Sequence, residues 1–264
     1  MKASVIRAKL GLLIWLVDTS TGAAVEENNV QFFADDKPMR PAPRGGGCFV
    51  LINTEPIDFN LKVKVFGYED ASVDVRFEEL DDRIPTCVVF LIPSEKNAKG
   101  DTVTSIFGNL PFLESIEAVD LGSVVCRLSV YNEKKLTMSV IKPAGKLLEL
   151  DYMHYALLKA DRKSYEKIVV SGTDPEQKII LKDALQTPYT VNSPICRVIF
   201  GKVDNEGNYL LRVRNDAEEK RFLIRYTVKG TVYFQQMDLG NPEETKLDIE
   251  KSIKEEPMIK AIEE

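Results

Sequence analysis

The chain has 264 residues, 44% of them hydrophobic and 29% charged, with a formal net charge of −6 and a pI near 5.2. That balance is globular, with length enough for two domains that each bury a core, and it excludes a disordered chain. The acidic total, with both signs interspersed, gives nucleic acid no basic footprint, and no run approaches the roughly 20 apolar residues of a membrane span.

Lys2, Arg7 and Lys9 precede an apolar run over 10–17, with Gly22-Ala23-Ala24 beyond it, a layout that superficially matches a secretory signal. The run is only eight residues long, is rich in the strand formers Ile14-Trp15-Leu16-Val17, and flows into the turn Asp18-Thr19-Ser20-Thr21-Gly22. It therefore reads as a first strand, with a cleaved leader as the alternative. A short strand over 30–33, a polar turn at Asp35-Asp36-Lys37 and a glycine-led strand, Gly47-Cys48-Phe49-Val50-Leu51-Ile52-Asn53, follow. In Leu61-Lys62-Val63-Lys64-Val65 apolar residues alternate with lysines, as a half-buried strand requires, and Ser72-Val73-Asp74-Val75-Arg76-Phe77 repeats the device. The continuous apolar run over 86–92, closed by Pro93, fits a strand covered on both faces. Prolines 38, 41, 43, 56 and 85 fall between the runs, where they remove no ladder hydrogen bond.

The polar segment 94–101 is the expected exit from this first domain. Beyond it, Ile106-Phe107-Gly108-Asn109-Leu110-Pro111-Phe112-Leu113 is apolar without clean periodicity. A linker has little use for two phenylalanines and two leucines. The segment is expected to pack on a neighbouring surface, either of its own domain or of another chain, and Phe107, Leu110, Phe112 and Leu113 are the candidate partner-interface residues. Strand signals resume at 124–131 and 136–141, joined by the loop Asn132-Glu133-Lys134-Lys135, and recur at 167–170, 178–181, 196–200, 208–214, 222–228 and 232–237. Lys229-Gly230 is a tight hairpin signal. The stretch 147–158 reads as either helix or strand. After Gly240-Asn241-Pro242 a thin apolar stripe and Pro257 leave a weakly helical or mobile tail, with a segment that orders on a partner as the alternative.

Reactive constellations are missing from this pattern. Cys48, Cys87, Cys126 and Cys196 are far apart, each at or near the start of an apolar strand, and read as reduced buried thiols. Two disulfides are the alternative in an exported chain, and the spacing suits no zinc site. The single histidine, His154, sits among aromatic residues and reads as packed or surface-lying, since no nucleophile accompanies it. Glu78-Glu79 and Asp81-Asp82 offer paired carboxylates, and Asp204-Asn205-Glu206-Gly207-Asn208 places oxygen-bearing residues around a glycine as calcium loops do, but it lacks the later bidentate acid. These read as loop ends and a turn. No catalytic, cofactor-binding or metal residue is assigned, and no cofactor is expected.

The string Leu16-Val17-Asp18-Thr19-Ser20-Thr21-Gly22-Ala23-Ala24-Val25, the Gly47–Asn53 strand and the strand ending in Phe66-Gly67-Tyr68 resemble the carboxypeptidase-regulatory-like, or prealbumin-like, β-sandwich. The resemblance covers residues 10–93 and implies a non-catalytic spacer or binding module. The overall layout, a module of this sort joined to a second β domain, resembles accessory structural proteins of phage-tail-like contractile injection particles. The expected fold is all-β: a prealbumin-like sandwich over 1–93, a linker with an apolar contact segment over 94–123, a second sandwich-like domain over 124–240 and a charged tail over 241–264. The resemblance implies a non-enzymatic assembly protein in a cytoplasmically built particle, partnered by other protein subunits or by its own copies. An exported carbohydrate- or cell-surface-binding sandwich is the alternative.

Overall fold

The computed structural model describes residues 9–26, 29–81, 84–94, 103–142, 154–174, 176, 178–214, 220–239 and 245–246. Across them the chain is all-β, with no helix of seven or more residues. It divides into two compact units: Met1–Thr19 with Ala23–Asn97, and Ser20–Gly22 with Ala98–Glu264. The expected exit at 94–101 lies almost wholly outside the described residues.

Eight strands build the first unit: β1 (Leu10–Asp18), β2 (Val30–Ala34), β3 (Lys37–Met39), β4 (Ala42–Gly45), β5 (Cys48–Ile52), β6 (Phe59–Val65), β7 (Ala71–Val75) and β8 (Thr86–Leu91). They form two four-stranded sheets, β4-β5-β1-β8 and β3-β2-β6-β7. All pairings are antiparallel except β1 with β8, which run parallel. Alternation decides which side chains meet between the sheets: Leu12, Ile14 and Leu16 of β1, Leu61, Val63 and Val65 of β6, and Cys87, Val89 and Leu91 of β8 share one core. Phe32 and Phe49 close it, their ring centroids 4.8 Å apart and tilted by 59°, a geometry worth about 0.5–1.5 kcal/mol beyond burial. Asp35 and Asp36 both adopt positive φ, the backbone of a tight hairpin whose twist matches its strands. The Tyr68 hydroxyl donates to Asp18 Oδ2 at 3.1 Å, tying the end of β1 to the turn after β6.

In the second unit the chain runs through β9 (Val103–Asn109), β10 (Leu113–Asp120), β11 (Val124–Asn132), β12 (Thr137–Ile141), β13 (His154–Leu158), β14 (Tyr165–Thr173), β15 (Ile179–Leu181) and β16 (Pro194–Arg197). It continues through β17 (Ile199–Phe200), β18 (Lys202–Val203), β19 (Asn208–Arg214), β20 (Lys220–Val228), β21 (Thr231–Leu239) and β22 (Thr245–Lys246). Three layers result. One sheet, β18-β19-β9-β22, faces a second, β17-β10-β20-β21, and β11-β12-β15-β14-β13-β16 close into a barrel. Ile106, Leu211 and Val213 of the first sheet meet Ile116, Phe222, Ile224 and Tyr226 of the second in a sandwich core. The other face of the second sheet, with Val119 and Leu223, packs on Ala156, Leu158, Tyr165 and Cys196 of the barrel. The central sheet is thus buried on both faces.

Two expectations are corrected here. Residues 103–120 are not a linker: β9 and β10 are paired strands of the second unit. Ile106, Leu110 and Leu113 lie in its core at 0%, 5% and 5% exposure, because burial in the sandwich removes more apolar surface from water than a linker position could. The tail is neither helical nor free at Thr245–Lys246, which pairs in parallel with Ile106 and Phe107 of β9; the rest of 241–264 lies outside the described residues. Of the ambiguous stretch 147–158, the described part, His154–Leu158, is the strand β13.

Candidate functional site

Three turns converge at one end of the second unit's sandwich. Leu110-Pro111-Phe112-Leu113 joins β9 to β10, crossing between the two sheets, and the Leu113 N–H donates to the Leu110 carbonyl at 3.1 Å. Phe112 has φ +67°. Proline second and positive φ third define a type II turn, whose third position ordinarily takes glycine or asparagine. Phenylalanine in the left-handed region costs about 1–2 kcal/mol. Its ring is nevertheless outside, 66% exposed, with Leu110 and Leu113 on either side buried in the core.

The second turn holds the first in place. Asp204 accepts at Oδ1 from the N–H groups of Glu206 and Asn208, both at 2.9 Å, and at Oδ2 from the Asn208 amide at 2.8 Å. That amide first, and the backbone donors after it, hold the Asp204 carboxyl below its usual range. The carboxylate that suggested a calcium loop is thus engaged by its own turn. Gly207, at φ +79°, lies so close that a Cβ there would stand 2.2 Å from the Leu110 carbonyl oxygen, and the Leu110 N–H donates to the Gly207 carbonyl at 3.0 Å. Asn109 Nδ2 donates to the Glu206 carbonyl at 3.0 Å and to Asn208 Oδ1 at 2.8 Å.

The hairpin between β20 and β21 supplies the third turn. Lys229 sets its Nζ 4.1 Å from the centroid of the Phe112 ring, and the Gly230 N–H donates to Glu114 Oε1 at 2.9 Å. A rigid rim thus presents one aromatic ring with a cation on its face.

Of the four residues proposed for a partner interface, Phe112 alone stands at this tip in solvent. Leu110 and Leu113 support it from the core. Phe107 lies on β9, 36% exposed, with Leu210 as its cross-strand partner, and is not part of the turn. What sequence reasoning missed is the rim: Lys229, Glu114 and Gly207. The Lys229-Gly230 hairpin was readable, but no local signal places it beside Phe112.

Glu117, the four cysteines and, in part, His154 lie inside the second unit or the first unit's core. Glu117, 4% exposed, meets Lys167 Nζ at 2.6 Å and Arg225 Nη1 at 3.2 Å, and accepts from the Tyr165 hydroxyl at 3.4 Å. Burial first, then the Glu117 charge, push the Tyr165 phenol well above its ordinary value. This cluster joins the barrel to the central sheet and neutralises a charge sealed between layers. His154 packs edge-on against Phe200, ring centroids 5.6 Å apart, and burial together with the Lys167 cation lowers its pKa. All four cysteines are free and buried; burial pushes Cys87 up to about 11 and Cys126 and Cys196 up to about 12. A recess of about 180 Å³ is lined in part by Asp120, Ser123, Arg197, Arg214 and Lys220. Its Lys220 is already engaged by Asp120 Oδ2 at 3.6 Å and by the Arg214 carbonyl at 3.1 Å.

No family model matches the chain, and no curated protein matches it.

Proposed function

We propose that the chain is a non-enzymatic adaptor, a set of rigid β modules that presents the Phe112 turn to another protein subunit. One observation carries the reading: a phenylalanine held at φ +67° with 66% of its surface in water. Folding rewards that placement little, since glycine would satisfy the turn and the exposed ring gains only the Lys229 cation on its face. Binding does reward it. An aromatic anchor fixed before contact loses little side-chain entropy on docking, and such anchors dominate interface energetics. The layout resemblance supplies the setting: an accessory structural role in a phage-tail-like contractile particle assembled in the cytoplasm. Affinity purification of the tagged full chain from its native cells, with mass spectrometry of what accompanies it, tests the reading. Wild-type chain should bring down defined protein subunits, and Phe112→Ser should lose them while retaining its thermal transition. Recovery of the same subunits with folded Phe112→Ser would overturn it.

A further inference from the structure

We propose that the recess at the Asp120 end of β10 binds a phosphate group, as the free ion or as a phosphomonoester, with Arg197 and Arg214 supplying the charge that holds it.

Strand ends bring the site together. Asp120 closes β10, Lys220 opens β20, Arg214 closes β19 and Arg197 closes β16. Strands β10 and β20 pair antiparallel with Asp120 opposite Phe222, so Asp120 and Lys220 share one end of the central sheet. The Lys220 ammonium donates to the Arg214 carbonyl at 3.1 Å, which ties that end to the facing sheet of the sandwich. The turn Ser20-Thr21-Gly22 belongs to the same compact unit. A Cβ on Gly22, at φ +63°, would stand 2.4 Å from the Val198 carbonyl oxygen, so only glycine lets that turn lie against the backbone beside Arg197. Thr21 and Ser123 add hydroxyl groups to the lining.

Charge and size select the ligand. Three cations and one carboxylate line the recess, a surplus of two positive charges among its described residues, in a chain whose formal net charge is −6. The Asp120 carboxylate is already answered: its Oδ1 accepts from the Gly122 N–H at 2.8 Å, and its Oδ2 lies 3.6 Å from Lys220 Nζ. Arg197 and Arg214 both reach solvent, and the guanidinium fork matches the oxygen spacing of a phosphate. Buried Ile199 and Phe222 also line the recess, and apolar walls strengthen the attraction between the charges they enclose. Its volume of about 180 Å³ falls below the roughly 300–1,000 Å³ of pockets for drug-sized ligands, so it suits a group of a few heavy atoms. A phosphate group is that small, and near neutral pH its charge matches the surplus of two. The Phe112 turn stands at the opposite end of β10, about 26 Å away along the strand, so this site is separate from the adaptor surface.

Isothermal titration calorimetry of the full chain at low ionic strength and about pH 7.5, where phosphate is largely a dianion, tests the inference. The titrants are inorganic phosphate, glycerol phosphate as a monoester and acetate as a monoanion. Phosphate should bind once per chain, at least about tenfold tighter than acetate, and should weaken as sodium chloride is added. Arg197→Gln and Arg214→Gln alter exposed side chains, and each should weaken phosphate at least about tenfold with the thermal transition retained. Glycerol phosphate binding as tightly as phosphate assigns the site to phosphorylated molecules, and binding of phosphate alone assigns it to the free ion. Absence of saturable binding at millimolar phosphate would overturn the inference. So would acetate binding equally well, or wild-type phosphate binding in both folded arginine variants.

Discussion

At the scale of single residues, several of the described ionisable groups are set by the packing around them. His154 is the clearest case, because its environment opposes its charge: burial is the largest cause, the Lys167 cation adds to it, Glu117 opposes it and Lys182 adds again. A histidine whose pKa is lowered on folding takes up a proton more readily when unfolded. Stability from this group is therefore fully present above the unfolded value near 6.5 and is lost as pH falls below it toward the folded value. The melting temperature should drop between about pH 7.5 and about pH 5.5, and His154→Gln should remove part of that drop. An unchanged drop in His154→Gln would show that other groups set the acid response. Sequence alone could rank His154 as packed, because it stands among aromatic residues without a nucleophile. It could not reveal Lys167 and Glu117 as neighbours, since they lie on β14 and β10 and meet it only through the barrel–sheet junction.

At the scale of elements, the turn between β9 and β10 divides residues that look alike in sequence. Leu110→Ala should cost about 2–5 kcal/mol in chemical denaturation, as a core truncation does, while Phe112→Ala should cost less than about 1 kcal/mol, as an exposed substitution does. Equal costs would mean that Phe112 is also core. The strands of the first unit were legible because one face of each meets the core and the other is partly wet, so Leu61-Lys62-Val63-Lys64-Val65 alternates openly. Residues 103–120 resisted the same reading for two reasons. In β9 the inward position 108 is glycine, which admits the Tyr209 hydroxyl to within 2.5 Å of where a Cβ would stand, while Phe107 on the outward face is apolar. In β10 both faces are covered, and the charged residue on the barrel side, Glu117, is buried in an ion-paired cluster. Charge there signals a junction instead of a surface.

At the scale of the whole molecule, an all-β class was readable from alternation and turn residues, while the parallel pairing of β1 with β8 was not. Nor was the closed barrel. Its closure depends on β11 pairing with β16 and β13 pairing with β16, contacts remote in sequence that leave no local pattern. The tip was half legible: an apolar segment with Phe112 in it was visible, but the Lys229 cation and the Gly207 contact come from turns about a hundred residues away. What the assembled unit achieves is a tip braced by hydrogen bonds from three turns, with buried leucines beneath a strained, exposed ring. The most direct measurement is therefore a side-by-side comparison of Phe112→Gly and wild type for melting temperature and for retention of co-purifying protein subunits. Glycine relieves about 1 kcal/mol of left-handed backbone cost and gives up a cation–π contact of about 0.5–1 kcal/mol, so stability should stay within about 1 kcal/mol of wild type. Partner retention should fall at least about tenfold, as removal of an anchor residue requires. A stable Phe112→Gly chain that holds its partners as tightly as wild type would contradict the account.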